Sequence, residues 1–262
     1  MTMSEAGKTI WVTGASSGLG RSLALQLAAA GHRVIASARN EAALAALADE
    51  QEGIHPLRLD IADEQGLAQA PARLATLADR LDQVILNAGV CEYLDFPEPD
   101  WSAVRRVMET NFFGTVHCAQ VALPMLRQSH VERPHLVVVG SQVTSAPFPR
   151  AEAYGASKAA LRYFCDSLRI DLAAENIDVS VVNPGFVDTP LTRRNDFDMP
   201  FLMDVDESAA LILRKLQKRP RNIRFPLRLS LLLSLSALLP GLWQKAVAST
   251  PQQPSTDPGI DS

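Results

Sequence analysis

Thr9-Ile10-Trp11-Val12-Thr13-Gly14-Ala15-Ser16-Ser17-Gly18-Leu19-Gly20 runs from a short apolar, β-prone stretch through a glycine-rich turn into a leucine- and alanine-rich periodic run. A strand that feeds a helix through such a turn aims the backbone amides of the helix N-terminus at whatever lies beyond the strand, and pyrophosphate is their natural guest. The three glycines permit the tight turn and a close approach to the backbone, although their spacing differs from the commoner GxGxxG fingerprint. Working outward, the same alternation repeats along the chain. Strands are expected near Thr9–Thr13, Arg33–Ser37, His55–Leu59, Gln83–Asn87, His135–Gly140, Asp178–Asn183 and Asn222–Phe225, with helices at Leu19–Ala30, Glu41–Ala48, Trp101–Leu126, Glu152–Glu175 and Glu207–Gln217. Alternating strands and helices imply an α/β fold: a doubly wound parallel sheet of the Rossmann type, about seven strands, helices on both faces. Ligands of such a sheet bind beyond the carboxyl ends of the strands.

Composition agrees with one large globular unit, since the 262 residues are 47% hydrophobic and 21% charged. Charge is uneven: residues 1–207 hold 17 Lys and Arg against 27 Asp and Glu, a net −10, whereas 208–262 hold 8 against 2, a net +6. Cys91, Cys118 and Cys165 are far apart and show neither CxxC nor Cys/His ligand spacing, so neither a disulfide framework nor a metal site is expected. His32, His55, His117, His130 and His135 likewise show no ligand spacing and are read as loop or helix-surface residues. Met1 to Lys8 contains no apolar h-region, so export is not expected and a reducing, cytoplasmic setting fits best.

Further motifs follow each strand in order: Asp60-Ile61, Asn87-Ala88-Gly89, Asn111 in the long helix, Ser141, Tyr154-Gly155-Ala156-Ser157-Lys158 and Pro184-Gly185. Together with TGxxxGxG they make residues 9 to about 190 similar to the short-chain dehydrogenase/reductase family. Singly, each residue has an ordinary structural reading: Tyr154 a half-buried aromatic, Lys158 a solvated charge, Ser141 a strand cap, Asn111 a surface polar. Several independent matches to one site are what weigh against those readings.

Tyr154 and Lys158, at i and i+4, share one face of a helix and can act on one ligand. A free tyrosine is a poor base at neutral pH, so a neighbouring ammonium must stabilise its phenolate. The resemblance implies catalytic roles for Asn111, Ser141, Tyr154 and Lys158. Ser141 would hydrogen-bond the substrate oxygen, and Asn111 would distort its helix and hold a water linking Lys158 to solvent. It also implies cofactor contacts from Gly14, Ser16, Ser17, Gly18, Leu19, Gly20, Asn87, Ala88, Gly89, Tyr154, Lys158, Pro184, Gly185, Val187 and Thr189. Asp60 and Ile61 would frame the adenine edge, though Asp60 is equally good as a cap of the next helix.

Cofactor preference is legible at the end of the second strand, where an acid would accept the ribose 2′-hydroxyl of NAD. Ala38 stands there, followed by Arg39, whose guanidinium can pair with a 2′-phosphate and stack on adenine. NADP, with NADPH preferred over NADH, is therefore expected; a merely solvated Arg39 is the alternative. Where the family often has a serine pair, this chain has Ser141-Gln142-Val143, which leaves the substrate contacts open. Phe148, Phe186, Thr189, Leu191, Phe197, Met199 and Phe201 suggest an apolar pocket for a lipophilic carbonyl, or else core.

The end of the chain needs its own account. Seven cations from Arg214 to Arg228 precede the apolar run Leu229–Trp243, which is broken by Pro240-Gly241 and falls short of the roughly 20 residues a membrane span needs. Two readings remain: a helix packed on its own domain or on a second subunit, which is favoured, or one lying in an anionic membrane interface. Helical wrapping places Leu231, Leu232, Leu235 and Leu239 together, opposite Ser230 and Ser234, as the face to be buried. The expected organisation is thus a catalytic domain over 1–225, an apolar helix over 226–250 and a disordered polar tail over 251–262. The expected activity is NADP(H)-dependent interconversion of a ketone or aldehyde and an alcohol, with a small carbonyl or alcohol as substrate, no nucleic-acid partner and a homodimer or homotetramer as the assembly. An NADP(H)-sensing or scaffold protein without turnover is the alternative, disfavoured because Tyr154 and Lys158 are both present.

Overall fold

A computed structural model describes residues 7–248; the polar tail expected over 251–262 lies outside the described residues. Seven strands form one parallel sheet in the order β3-β2-β1-β4-β5-β6-β7. They are β1 Thr9–Thr13, β2 Arg33–Ala38, β3 Ile54–Arg58, β4 Gln83–Leu86, β5 His135–Val139, β6 Asp178–Pro184 and β7 Asn222–Phe225. The order reverses between β1 and β4, where Ile10 pairs with Gln83 and Val12 with Ile85, and the crevice for a ligand opens there.

Residues of β1 alternate between two cores, as the two-residue period of a strand requires. Ile10 and Val12 enter the core under α1 (Gly18–Ala29), α2 (Glu41–Glu50) and α7 (Val205–Leu216), while Trp11 enters the core under α3 (Glu64–Ala75), α5 (Thr115–Arg127) and α6 (Glu152–Leu172). Trp11 is fully buried, and its indole N–H donates to Ser37 Oγ at 2.9 Å, so the one polar atom of the largest core side chain is satisfied.

The long helix expected over Trp101–Leu126 is three pieces: α4 (Ser102–Met108), a π-helical turn over Glu109–Gly114, and α5. The wider turn swings Asn111, fully buried, toward the sheet. His135 corrects the reading of the histidines as surface groups. It begins β5 at 3% exposure with Nε2 2.8 Å from Ser180 Oγ, and burial holds its imidazole down at about 3, neutral over the physiological range.

The C-terminal run also departs from expectation. It folds as two helices, α8 (Leu227–Leu238) and α9 (Pro240–Ala248), meeting at a bend of 110°, because Pro240 cannot continue α8. The buried face is Leu229 and Leu233, packed with Ala146, Phe148, Phe186 and Trp243. Leu231, Leu232, Leu235 and Leu239, expected inside, are 57%, 47%, 63% and 58% exposed. Leucines on nearly every side of the helix give its wheel no unique apolar stripe, so tertiary anchors choose the face. Gln142, only 2% exposed, is one anchor: its Nε2 donates to Phe225 O at 2.7 Å and its Oε1 accepts from Ser230 Oγ at 3.0 Å. Gly185 is another, since a Cβ there would lie 2.6 Å from Leu229 Cδ2. Burying Leu229 and Leu233 contributes roughly 1.5–3 kcal/mol each.

Candidate active site

Thr13, Gly14 and Asn87 build the crevice floor at the point where β1 and β4 end. Thr13 Oγ1 accepts the Asn87 and Ala88 amides at 3.0 and 3.2 Å, while Asn87 Nδ2 donates to the carbonyls of Thr13 and Gly14 at 3.2 and 3.3 Å. Gly14 takes φ +68°, and a Cβ there would meet Ala88 Cα at 2.7 Å. At Gly20 a Cβ would fall 2.2 Å from the Gly14 carbonyl oxygen. The turn is thus compressed against α1, and a side chain at either glycine would occupy the space the backbone itself needs.

A cleft of about 340 Å³ rises from this floor. Its wall gathers most of the residues expected to hold the cofactor: Gly14, Ser16, Ser17, Gly18 and Leu19 from the first turn, Arg39 from the end of β2, and Asp60 and Ile61 from the end of β3. Asn87, Ala88 and Gly89 follow from β4, and Ser141, Tyr154, Lys158, Pro184, Gly185, Val187 and Thr189 complete it. Gly20 and Asn111 are brought near but do not line the cleft. Gly20 seats α1 on the turn. Both amide hydrogens of Asn111 are engaged, by Val90 O at 2.9 Å and Ser157 Oγ at 3.0 Å, and its Oδ1 accepts the Val90 amide at 2.8 Å. Asn111 is therefore a strut between the β4 loop and α6, and only its oxygen atoms have capacity for a relay water.

Asp60 resolves to a turn rather than a helix cap. Its carboxylate accepts the Ala62 amide at 3.0 Å, and Asp63 caps α3 through Gln65 N. Arg39 is exposed at the cleft's rim and has no ion-pair partner among the described residues.

Tyr154 and Lys158 stand one turn apart on α6, with Nζ 5.8 Å from the centre of the phenol ring. Nζ donates to Val139 O at 2.9 Å, which fixes the ammonium at the end of β5. Burial pulls the Lys158 pKa down to about 8, against small opposing contributions from Cys91 and Cys165. The Tyr154 phenol is pushed well above its ordinary value, first by burial and then by Cys91, while a hydrogen bond with Ser141 opposes the shift. The free site therefore holds a neutral phenol beside a readily discharged ammonium.

A second cavity of about 120 Å³ adjoins the cleft and shares Ser141, Tyr154, Pro184, Gly185, Leu191 and Thr192 with it. Phe148, Phe186, Leu191 and Phe197 line it as anticipated; Met199 and Phe201 do not, and Phe201 lies 42% exposed outside. Other contributors went unseen in the sequence, among them Cys91 and Tyr93 from the β4 loop, and Leu229 and Leu233 from α8. The loop after β6 is tied across the cavity mouth. Tyr93 Oη donates to Asn195 Oδ1 at 2.6 Å, and Arg150 pairs with Asp196 at 2.7 Å and with Asp95. Arg150 also lies 4.9 Å over the Tyr93 ring. None of these ties has a local signal, because their partners are 46 to 102 residues apart.

Known proteins agree with this geometry. The profile of the short chain dehydrogenase family matches residues 8–199. An uncharacterized oxidoreductase of Myxococcus xanthus is 36% identical over 237 residues, covering 89% of this chain and 93% of its own. The 11-beta-hydroxysteroid dehydrogenase A of Arachis hypogaea is 35% identical over 208 residues, 77% of this chain and 58% of its own length, so the chain spans little more than half of that relative. Among solved structures, a short chain dehydrogenase from Burkholderia cenocepacia in complex with NADP superposes with a TM-score of 0.81 at 27% identity, covering 95% of this chain and 100% of that one. The Pseudomonas aeruginosa RhlG/NADP active-site complex gives 0.77 at 28% identity, covering 85% and 96%. With the glycine turn, the Tyr154–Lys158 pair and the sheet order all in place, the chain belongs to the short-chain dehydrogenase/reductase family of oxidoreductases.

Proposed function

We propose that this protein is an NADP(H)-dependent carbonyl reductase or alcohol dehydrogenase for lipophilic substrates, with Tyr154 as its acid/base. One observation carries the reading: the large cleft and the small apolar cavity meet at Tyr154 and Ser141, so a single phenol faces both compartments. The glycine turn fits a dinucleotide, because Gly14 and Gly20 let the backbone pack where a Cβ would strike Ala88 or the Gly14 carbonyl, so the turn stays tight and Ser16, Ser17, Gly18 and Leu19 line the cleft at the N-terminus of α1. The end of β2 supports NADP: an alanine rather than an acid, then an unpaired Arg39 at the rim.

When bound, the cofactor supplies or takes up the hydride. The chain supplies the rest. In reduction, Tyr154 Oη gives its proton to the substrate oxygen as the alcohol forms; in oxidation, it takes that proton back. Lys158 holds a positive charge on one side of the phenol and favours the phenolate that reduction leaves behind. Ser141 is positioned to hold the substrate oxygen and, through its hydrogen bond, to steady the phenol. Leu229 and Leu233 close the apolar cavity, and Asn111 keeps α6 and the β4 loop in register. The described residues up to Phe225 supply the cofactor site, and Leu229 and Leu233 of the apolar helix that follows close the substrate side. A homodimer or homotetramer is part of the proposal, supported by Tyr163 and Ile170, which stand 79% and 76% exposed on α6. Cytoplasmic residence is also part of it, supported by three free thiols.

The test is to mix protein with NADPH and a panel of apolar ketones and aldehydes and follow the loss of reduced-nicotinamide absorbance. Turnover by the wild type, lost in Tyr154→Phe with NADPH binding retained, is the expected result. Tight NADPH binding without turnover of any carbonyl or alcohol would instead mark a sensor or scaffold.

A further inference from the structure

The outer surface of α8 and α9 carries an apolar stripe that no described residue covers. Leu227, Leu231, Leu235 and Leu238 recur every third or fourth residue along one side of α8, at 70%, 57%, 63% and 75% exposure, and Leu242 of α9 adds another at 63%. Isolated exposed leucines are ordinary, but four along one side of α8 with a fifth on α9 form an apolar surface that calls for a partner. Its setting is cationic. Arg228 falls beside Leu231 and Leu235 when α8 is wrapped at about 100° per residue. Arg228, Arg224 at the end of β7 and Lys245 in α9 are all exposed, without an ion-pair partner among the described residues. Between Glu207 and Asp257 the sequence holds eight Lys and Arg and no acid.

Two facts decide what covers this face. Among the described residues no single helix is long and apolar enough to cross a membrane, and the 110° bend keeps α8 and α9 from continuing as one rod. A second copy of the same face, brought up by a two-fold axis, would bring one set of cations, Arg224, Arg228 and Lys245, up to another with no acid from 208 to 256 to offset them, and like charges across a contact oppose it. A surface that is apolar at depth and anionic at its edge matches both the leucines and the cations.

We propose that α8 and α9 dock this protein on the surface of an anionic lipid bilayer, with Leu231, Leu235 and Leu238 entering the interfacial region and Arg224, Arg228 and Lys245 meeting the headgroups. The helices lie in the interface and do not span it. Leu229 and Leu233, on the opposite side of α8, stay packed over the apolar cavity, so docking requires no unfolding of that wall.

Full-length protein should be sedimented with phosphatidylcholine vesicles and with vesicles of phosphatidylcholine and phosphatidylserine mixed two to one, at low and high salt. Each cation near an anionic surface favours binding by about fivefold, so the mixed vesicles should bind the protein at least about tenfold more tightly, and salt should weaken the difference. The triple variant Leu231→Ser, Leu235→Ser, Leu238→Ser should lose at least about tenfold in binding while its NADPH affinity and thermal midpoint stay at wild-type values, because these side chains are already in water. The double variant Arg224→Glu, Arg228→Glu should lose the preference for phosphatidylserine. Wild-type protein that stays in the supernatant with both vesicles overturns the proposal. So does a triple variant that pellets as well as wild type, which would remove α8 as the contact. A wild-type dimer that the triple variant splits, with no vesicle binding by either, assigns the face to a second copy instead.

Discussion

The two walls around Tyr154 are held by opposite means. On the cofactor side, the turn Thr13–Gly20 is fixed by backbone sterics and by hydrogen bonds among neighbouring strand ends, with a Gly20 Cβ excluded at 2.2 Å by the Gly14 carbonyl. On the substrate side, α8 is held by contacts between distant side chains: Gln142 to Phe225 and Ser230, Leu229 against Gly185, Trp243 donating to Pro147 O at 2.7 Å and edge-on to Phe148. At Gly14 and Gly20 the first wall has no room for a side chain. The second can be rebuilt by changing a few side chains. On the proposed function, the wall facing the substrate is the part of the molecule with the looser local specification.

The sharpest division concerns Tyr154, which belongs to both walls. Tyr154→Phe should cut kcat by about 10²- to 10⁴-fold while the NADPH dissociation constant changes little, read by steady-state kinetics beside a fluorescence titration. An equal loss in binding would mean the phenol is part of the cofactor wall alone.

Gly14→Ala should injure the first wall and spare the second. Its φ of +68° and the 2.7 Å approach to Ala88 force the turn to shift, so NADPH affinity should fall by tenfold or more and stability by about 1–3 kcal/mol. Calorimetry with and without NADPH measures both. Arg39→Asp acts on the same wall more gently: preference for NADPH over NADH, expected at tenfold or more, should vanish or reverse. Equal wild-type affinities for the two cofactors would break the argument from Ala38 and Arg39.

Gln142→Ala should do the reverse of the glycine change. Loss of its two hydrogen bonds, the one to Phe225 O buried and the one from Ser230 Oγ part-buried, costs about 1–3 kcal/mol and should raise KM for lipophilic carbonyls several-fold with NADPH affinity unchanged. A pure stability loss with KM intact would show that α8 does not shape the substrate cavity.

The smallest effect is a pH slope. With its folded pKa at about 8, below the ordinary lysine value of 10.5, Lys158 binds fewer protons folded than unfolded between those two values. Its contribution to stability thus rises as pH increases through that window. Urea midpoints of the cofactor-free protein at pH 7.5 and 9.5 should show a steeper rise for wild type than for Lys158→Met; parallel slopes would place the ammonium in a more solvated setting.

Most of the cofactor wall was legible in the sequence because its determinants are local. A glycine that must take a positive φ, a tyrosine and lysine one turn apart, and strands buried on both faces all write themselves into short stretches, and Thr9–Thr13 and Asn222–Phe225 begin and end where the periodicity puts them. Ala38 and Arg39 could be read for the same reason, being adjacent to a strand end whose position the pattern fixes. Tertiary structure alone decided the rest. Which side of a leucine-coated helix turns inward depends on Gln142, Gly185 and Pro240 acting together, since hydrophobicity is nearly uniform around α8 and a wheel cannot break that symmetry. His135 went inside because β5 is central and Ser180 of the next strand accepts it. The ties from Tyr93 and Arg150 to the loop after β6 join residues that only the doubly wound topology brings together. A sequence specifies its backbone chemistry and periodic faces residue by residue, whereas contacts across a hundred positions exist only once the sheet has set the distances between them.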